Sequence, residues 1–194
     1  SSVVFIVSLH GFDRVSEEFY PNILLARKGY IKLDAKGEVT DWIAMAHSSG
    51  GTSAVYLKDQ QSDESIENIR KLFVELLGQE HSPVWKITNR KDASRLGADP
   101  KAAFLIDGAP GVAISDSAAG RKLSGKSQIK ATSGYLPSRS EVRGLILVSG
   151  PAIKSGSQIE YARIIDLAPT IARLLGLEMN SVRGRIISGV LKQQ

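Results

Sequence analysis

The sequence contains no cysteine, which excludes a disulfide framework and any thiolate metal site. It leaves the compartment open, because exported proteins can also lack cysteine. No apolar run approaches the roughly 20 residues needed to span a bilayer. Ser1 to Ser8 has neither the basic start nor the cleavage pattern of a signal peptide. A soluble chain with no membrane partner is expected, and export with removal of a leader stays open. Internal repeats, low-complexity tracts and heptads are also missing, so solenoids and coiled coils are excluded. What is present is 194 residues with 42% hydrophobic content, enough for one substantial core or a core with a small inserted subdomain. The formal net charge of +5 and pI near 9.5 favour anions, although the charge is scattered.

Val3 to Ser8 is a continuous apolar run of the kind expected for a buried parallel strand, ending before Gly11. Pro21 and Asn22 start a short helix, Ile23 to Lys28, stopped by Gly29. Two strand-like runs, Tyr30 to Leu33 and Val39 to Ala46, flank a hairpin turn at Asp34, Ala35, Lys36 and Gly37. From Ser53 to Ser115 the order of strands and helices suggests a compact α+β subdomain. Its helix has Ser62 and Asp63 as N-caps, an apolar stripe of Ile66, Ile69, Leu72, Phe73, Leu76 and Leu77, and a stop at Gly78. Val84 to Thr88 follows as a strand, Asn89 caps a helical turn ending at Gly97, and Ala102 to Asp107 is expected to pair with Val112 to Ser115. Asp116 to Lys130 is polar and basic, read as a mobile solvated loop. Arg143 to Ser149 is a second buried strand, and Asp166 caps a final amphipathic helix that ends at Gly176.

Three stretches carry a resemblance. Val3–Phe12 (VVFIVSLHGF), Ala131–Pro137 (ATSGYLP) and Arg163–Leu177 (RIIDLAPTIARLLGL) resemble, in order and spacing, the C-terminal part of a type I phosphodiesterase/nucleotide pyrophosphatase, in the alkaline phosphatase superfamily. The resemblance implies an α/β fold: a partial alkaline phosphatase-like sheet with helices over 1–46 and 116–194, plus an inserted ferredoxin-like α+β subdomain over 47–115. In that family the first loop reads Ser-Asp-His-Gly and the second Thr-His-Gly-Tyr, supplying an Asp and a His to one metal and a His to the other. Here those positions hold Leu9, His10 and Ser133. Only His10 keeps a ligating side chain, and leucine coordinates no cation. The family's nucleophile and its remaining ligands are expected upstream of residue 1.

The chemistry so implied is two-metal hydrolysis of phosphate esters through a covalent intermediate, with two zinc or similar divalent ions as cofactors. With Leu9 and Ser133 substituted, this chain by itself is expected to bind no metal stably and to be inactive. Partners implied are the missing N-terminal half or another chain, and phosphate-ester small molecules if the protein is active. The alternative is a non-catalytic binding or interaction module derived from the same fold.

Each candidate side chain also has a plainer reading. His10 as a metal ligand needs company, since zinc takes three or four protein donors and its loop adds only Asp13. Otherwise it is a loop histidine hydrogen-bonded to backbone or water. Ser133 with His10 as base would make a reduced hydrolase, but no third triad member is evident. His47 with Ser48, Ser49, Gly50, Gly51 and Thr52 lacks the Lys of a phosphate loop and reads as a flexible connection. His81 reads as a surface residue in a turn. Arg121, Lys122, Lys126, Lys130, Arg139 and Arg143 flank Ser133. With only Tyr135 among them for stacking, they read as a solvated basic surface and not as a specific nucleic-acid site.

Overall fold

The computed structural model describes residues 2–58 and 62–192, so Ser1, 59–61 and 193–194, including the outer ends of the expected ranges 1–46 and 116–194, lie outside the described residues. In chain order the elements are β1 (Val4–Val7), β2 (Asp13–Arg14), β3 (Glu17–Phe19), α1 (Pro21–Arg27), β4 (Ile31–Leu33), β5 (Val39–Trp42), β6 (Ala44–Ser48) and β7 (Thr52–Leu57). Then come α2 (Asp63–Leu77), β8 (Val84–Asn89), α3 (Arg90–Arg95), β9 (Phe104–Gly108), β10 (Val112–Ile114), β11 (Ser124–Lys126), β12 (Ala131–Thr132), β13 (Ile146–Ser149) and α4 (Leu167–Leu174). The fold is mixed α/β with several small sheets. Among the described residues no helix is long and apolar enough to cross a membrane.

Contacts divide the chain into a central unit, residues 11–143, and a terminal unit made of residues 1–10 and 144–194. The central unit is built on a four-stranded antiparallel sheet in the order β6-β7-β9-β8. β7, α2 and β8 form a split β-α-β with β9 between the two strands, the heart of a ferredoxin-like arrangement. The fourth strand, β6, precedes β7 in sequence instead of following β9. One apolar cluster joins Phe73 and Ile69 of α2 and Phe104 and Ile106 of β9 to Phe19, Leu25 and Ile31. Phe73 and Phe104 meet at a tilted 5.9 Å.

Local signals placed the helices well. Ser62 Oγ accepts from Ser65 N at the start of α2, and Asn89 Oδ1 accepts from Asp92 N at the start of α3. Asp34 Oδ1 accepts from Lys36 N and Glu38 N, closing the β4–β5 turn. Pro21 opens α1, and the buried Asn22 beside it ties the helix to β6. Its amide donates to Ala46 O and Asp116 O while its oxygen accepts from Ala46 N.

Three strand expectations fail on pairing. β10 does not form a hairpin with β9; it runs parallel to β3, with Val112 opposite Glu17 and Ile114 opposite Phe19. The segment read as a mobile solvated loop contributes β11, antiparallel to the other edge of β3. Polar side chains did not prevent this, because backbone groups make the ladder. Finally, β1 is neither parallel nor buried. It pairs antiparallel with β13, and Val4, Ile6 and Leu147 are exposed on the same face of this two-stranded sheet.

Candidate functional site

The segment Thr132–Arg139 is held in the central unit by a buried carboxylate. Asp107 ends the apolar run of β9 and is only 2% exposed, so its charge must be neutralised locally. Its Oδ1 accepts from Thr52 Oγ1 at 2.8 Å and from Leu136 N at 3.3 Å. Its Oδ2 accepts from both Arg139 Nε and Arg139 Nη2 at 3.2 Å. Arg139 also donates to Gly108 O, and its guanidinium carbon lies 4.3 Å from the centre of the Tyr135 ring. The Tyr135 hydroxyl donates to Val112 O at 2.7 Å. Burial, followed by the nearby Asp13 charge and opposed by Arg139, pushes the phenol up to about 12. It therefore stays a neutral donor at ordinary pH.

The other side of this segment is gripped by the β6–β7 turn. Gly51 N donates to Ser133 O at 2.8 Å. A Cβ on Gly51 would sit 2.3 Å from the Tyr135 ring, and one on Gly134 would sit 1.8 Å from Ser49 O. The expected flexible connection is thus a tight clasp. Its amides are spent internally: Ser48 N donates to Asp116 Oδ1, Ser49 N to Thr52 O and Gly50 N to Ser48 Oγ. None of these three is turned to a phosphate. His47 lies exposed beside them, its Nδ1 3.3 Å from Asp116 Oδ2.

In the terminal unit, Ser8 N donates to Leu145 O and Leu145 N donates to Ser8 Oγ, which extends the β1–β13 pairing as far as Ser8. Leu9 projects away, 80% exposed, and His10 follows on the surface. Asp166 takes a role different from the one expected. Its side chain makes no cap bond at α4. It accepts instead from Arg185 N, from Arg163 N and from Arg163 Nη2, at 2.9, 2.9 and 3.0 Å, bracing the turn ahead of the helix. These bonds, Arg185 N foremost, pull its pKa from 3.8 to about 2.

A carboxyl group with a depressed native pKa stabilises the fold above its unfolded value and loses that contribution as pH falls through the native one. Acid titration of the terminal unit, followed through the Arg185 amide signal, should therefore show a loss between about pH 4 and pH 2 that is missing in Asp166→Asn. The same slope in the variant would show that another group is responsible.

The sequence candidates are dispersed. His10 and Leu9 belong to the terminal unit, and Asp13 and Ser133 to the central unit, where Thr132 pairs opposite Asp13. His81 is a surface residue with a positive φ beside Glu80. Of the basic residues, Arg121, Lys122, Lys126, Lys130 and Arg143 are exposed. Arg139 is not a solvated cation, because Asp107 holds it with its side chain 10% exposed. Among the described residues no three His, Asp or Glu side chains are grouped to hold a metal ion. Sequence reasoning missed Asp107, although an aspartate closing the run Ala102–Ile106 was a signal for a buried ion pair.

No family model matches the sequence, and no curated protein is significantly similar to it. Solved structures are. The murine ectonucleotide pyrophosphatase/phosphodiesterase 5 matches 98% of this chain with a TM-score of 0.62 at 16% identity. The human ectonucleotide pyrophosphatase/phosphodiesterase 5 matches 98% with a TM-score of 0.61 at 17% identity. The chain has their alkaline phosphatase-like fold. It spans only 45% and 46% of those two chains, so it reproduces part of the phosphodiesterase fold. An inactive form of the murine protein, solved in complex with AMP, matches over the same share of this chain.

Proposed function

We propose that this chain is the C-terminal part of a metal-dependent phosphodiesterase-like hydrolase of phosphate esters, and that it does not catalyse by itself. The observation that carries this reading is the likeness in fold over 98% of the chain to less than half of a nucleotide pyrophosphatase/phosphodiesterase. The loop motifs fall in the family's order along that span. When bound, two divalent ions would activate the nucleophile and stabilise charge on the phosphate oxygens.

The residues of this chain have a narrower part. Asp107 and Arg139 fix the segment bearing Ser133, the position that matches a ligand in the resembling motif. Leu9 stands where a carboxylate is expected and supplies no donor, and the Ser133 hydroxyl is a poor substitute for an imidazole. Phosphate esters are the substrate class of the whole protein, and the remaining ligands and the nucleophile are assigned to polypeptide outside residues 1–194.

The chain should be loaded with zinc, dialysed and assayed for metal, then for hydrolysis of bis(p-nitrophenyl) phosphate and p-nitrophenyl phosphate. Metal well below stoichiometric and no turnover above buffer are expected. Near-stoichiometric metal, with turnover abolished in His10→Ala, would instead establish a rebuilt site and end the inactive-part reading.

A further inference from the structure

Where two cations of the central unit share a surface, a carboxylate can stand between them: Lys32 and Lys58 both pair with Asp41, at 3.5 and 2.9 Å. One cavity of the same unit lacks that third group. It opens to solvent with a volume of about 450 Å³ and is lined by Arg14, Val15, Ser16 and Lys130: two cations, a hydroxyl and an apolar residue, with no carboxylate. Its backbone is fixed from several sides. Arg14 lies opposite Ala131 in the β2–β12 ladder, Val15 N donates to Lys130 O at 3.0 Å, Ser16 N donates to Gly111 O at 2.9 Å, and Ser16 O accepts from Ser127 N at 3.0 Å. Val15 is buried, whereas Arg14, Ser16 and Lys130 are exposed. Among the described residues neither Arg14 nor Lys130 enters an ion pair. The carboxylates nearest in sequence have other neighbours. Asp13 stands opposite Thr132 and its charge is felt at Tyr135, while Glu17 stands opposite Lys126 in the β3–β11 ladder, where opposite charges attract across the strands. Two like charges held at one cavity repel each other, and an anion between them would reverse that.

We infer that this cavity binds a phosphate dianion, either inorganic phosphate or a phosphate monoester. The Arg14 guanidinium takes two of its oxygens, Lys130 supplies the second positive charge, and the Ser16 hydroxyl donates to a third oxygen. Two cations match the double charge of a monoester at neutral pH, and a diester brings only one. The volume falls in the range of small-molecule sites, roughly 300–1,000 Å³, which leaves room for the alcohol part of an ester. No aromatic ring lines it, which speaks against a stacked single strand of nucleic acid. The binding does not rest on the proposed function, although hydrolysis of a phosphodiester would supply such a monoester.

The 194-residue chain is titrated with inorganic phosphate, phenyl phosphate and bis(p-nitrophenyl) phosphate at constant ionic strength and about pH 8, where the first two are dianions. Amide signals and the Arg14 Nε signal are followed by NMR. Saturable shifts are expected at Arg14, Ser16 and Lys130 with the two dianions, and weaker binding with the diester. Arg14→Gln and Lys130→Gln should each raise the dissociation constant by about tenfold, and Arg14→Lys, which keeps the charge and loses the fork, by less. Arg121→Gln removes the same charge from another exposed position of the central unit and should change it by less than about twofold. All four positions are exposed, so unchanged amide signals along β9 will show that each variant is folded.

Tighter binding of phenyl phosphate than of inorganic phosphate would assign the site to the monoester, the reverse order would assign it to the free ion, and either supports the site. Shifts that rise linearly without saturation, equal weakening in Arg121→Gln, or tightest binding of the diester would each overturn the inference. The readout is binding without turnover, so these outcomes leave the zinc and hydrolysis assays of the functional reading to stand or fall separately.

Discussion

Asp107→Ala should destabilise the central unit by about 3–5 kcal/mol, because it leaves a buried guanidinium without its counter-ion. Arg139 would keep only the Gly108 carbonyl and the Tyr135 ring, and both Thr52 Oγ1 and Leu136 N would lose their acceptor. For a domain of this size the loss should lower the urea midpoint by on the order of 2 M. Two further variants locate the cause. Asp107→Asn keeps the shape and one acceptor, so its cost should be smaller. Adding Arg139→Met to Asp107→Ala should recover part of the loss, since no charge is then stranded. A loss below about 1 kcal/mol in the single variant would show that the pair behaves as a solvent-screened surface pair.

Gly134→Ala is expected to have the second large effect, for a different reason. The position has φ +77 and would place its Cβ 1.8 Å from Ser49 O. The left-handed conformation costs a non-glycine residue about 1–2 kcal/mol. The clash adds more, because a backbone oxygen cannot escape by changing rotamer. A total on the order of 3 kcal/mol is expected, with new proteolytic cleavage inside 132–139 as the clasp opens. Gly97→Ala is the matched control. It has φ +84 and nothing within 4 Å of the added Cβ, so it should show the conformational cost alone. Equal losses at the two positions would mean that the clasp relaxes freely and does not hold the segment.

Asp166 and Asp107 mark the two ways in which a carboxylate escapes a sequence reading. Asp166 was recognised by its place before an apolar helix, and it does brace that entry. The atoms it satisfies are Arg163 N and Arg185 N, the second of them supplied by an irregular segment 19 residues further along the chain. Asp107 looked like the polar end of a strand. Its partner, Arg139, looked like one basic residue among six, and nothing local distinguished it from Lys130 or Arg143.

The strands show the same divide. β1 and β13 were both located from their apolar runs. Apolar content predicts burial only when something covers the strand. Among the described residues Ile6 and Leu147 are left 62% and 52% exposed. β10 was located too, but a strand three residues long carries no information about which edge it will join, and the gap beside β3 took it.

By itself the sequence determined the helices, the β4–β5 turn, the positions of the apolar strands and the order of the motifs that announce the phosphodiesterase fold. These depend on periodicity, caps and turn residues that act within a few positions of each other. Only the tertiary structure decided which strands pair, which charges are buried together, which loops interlock through glycine, and which apolar face is left open. Each of those is settled between residues distant in the chain, where the free energy of a contact depends on what the rest of the fold brings beside it.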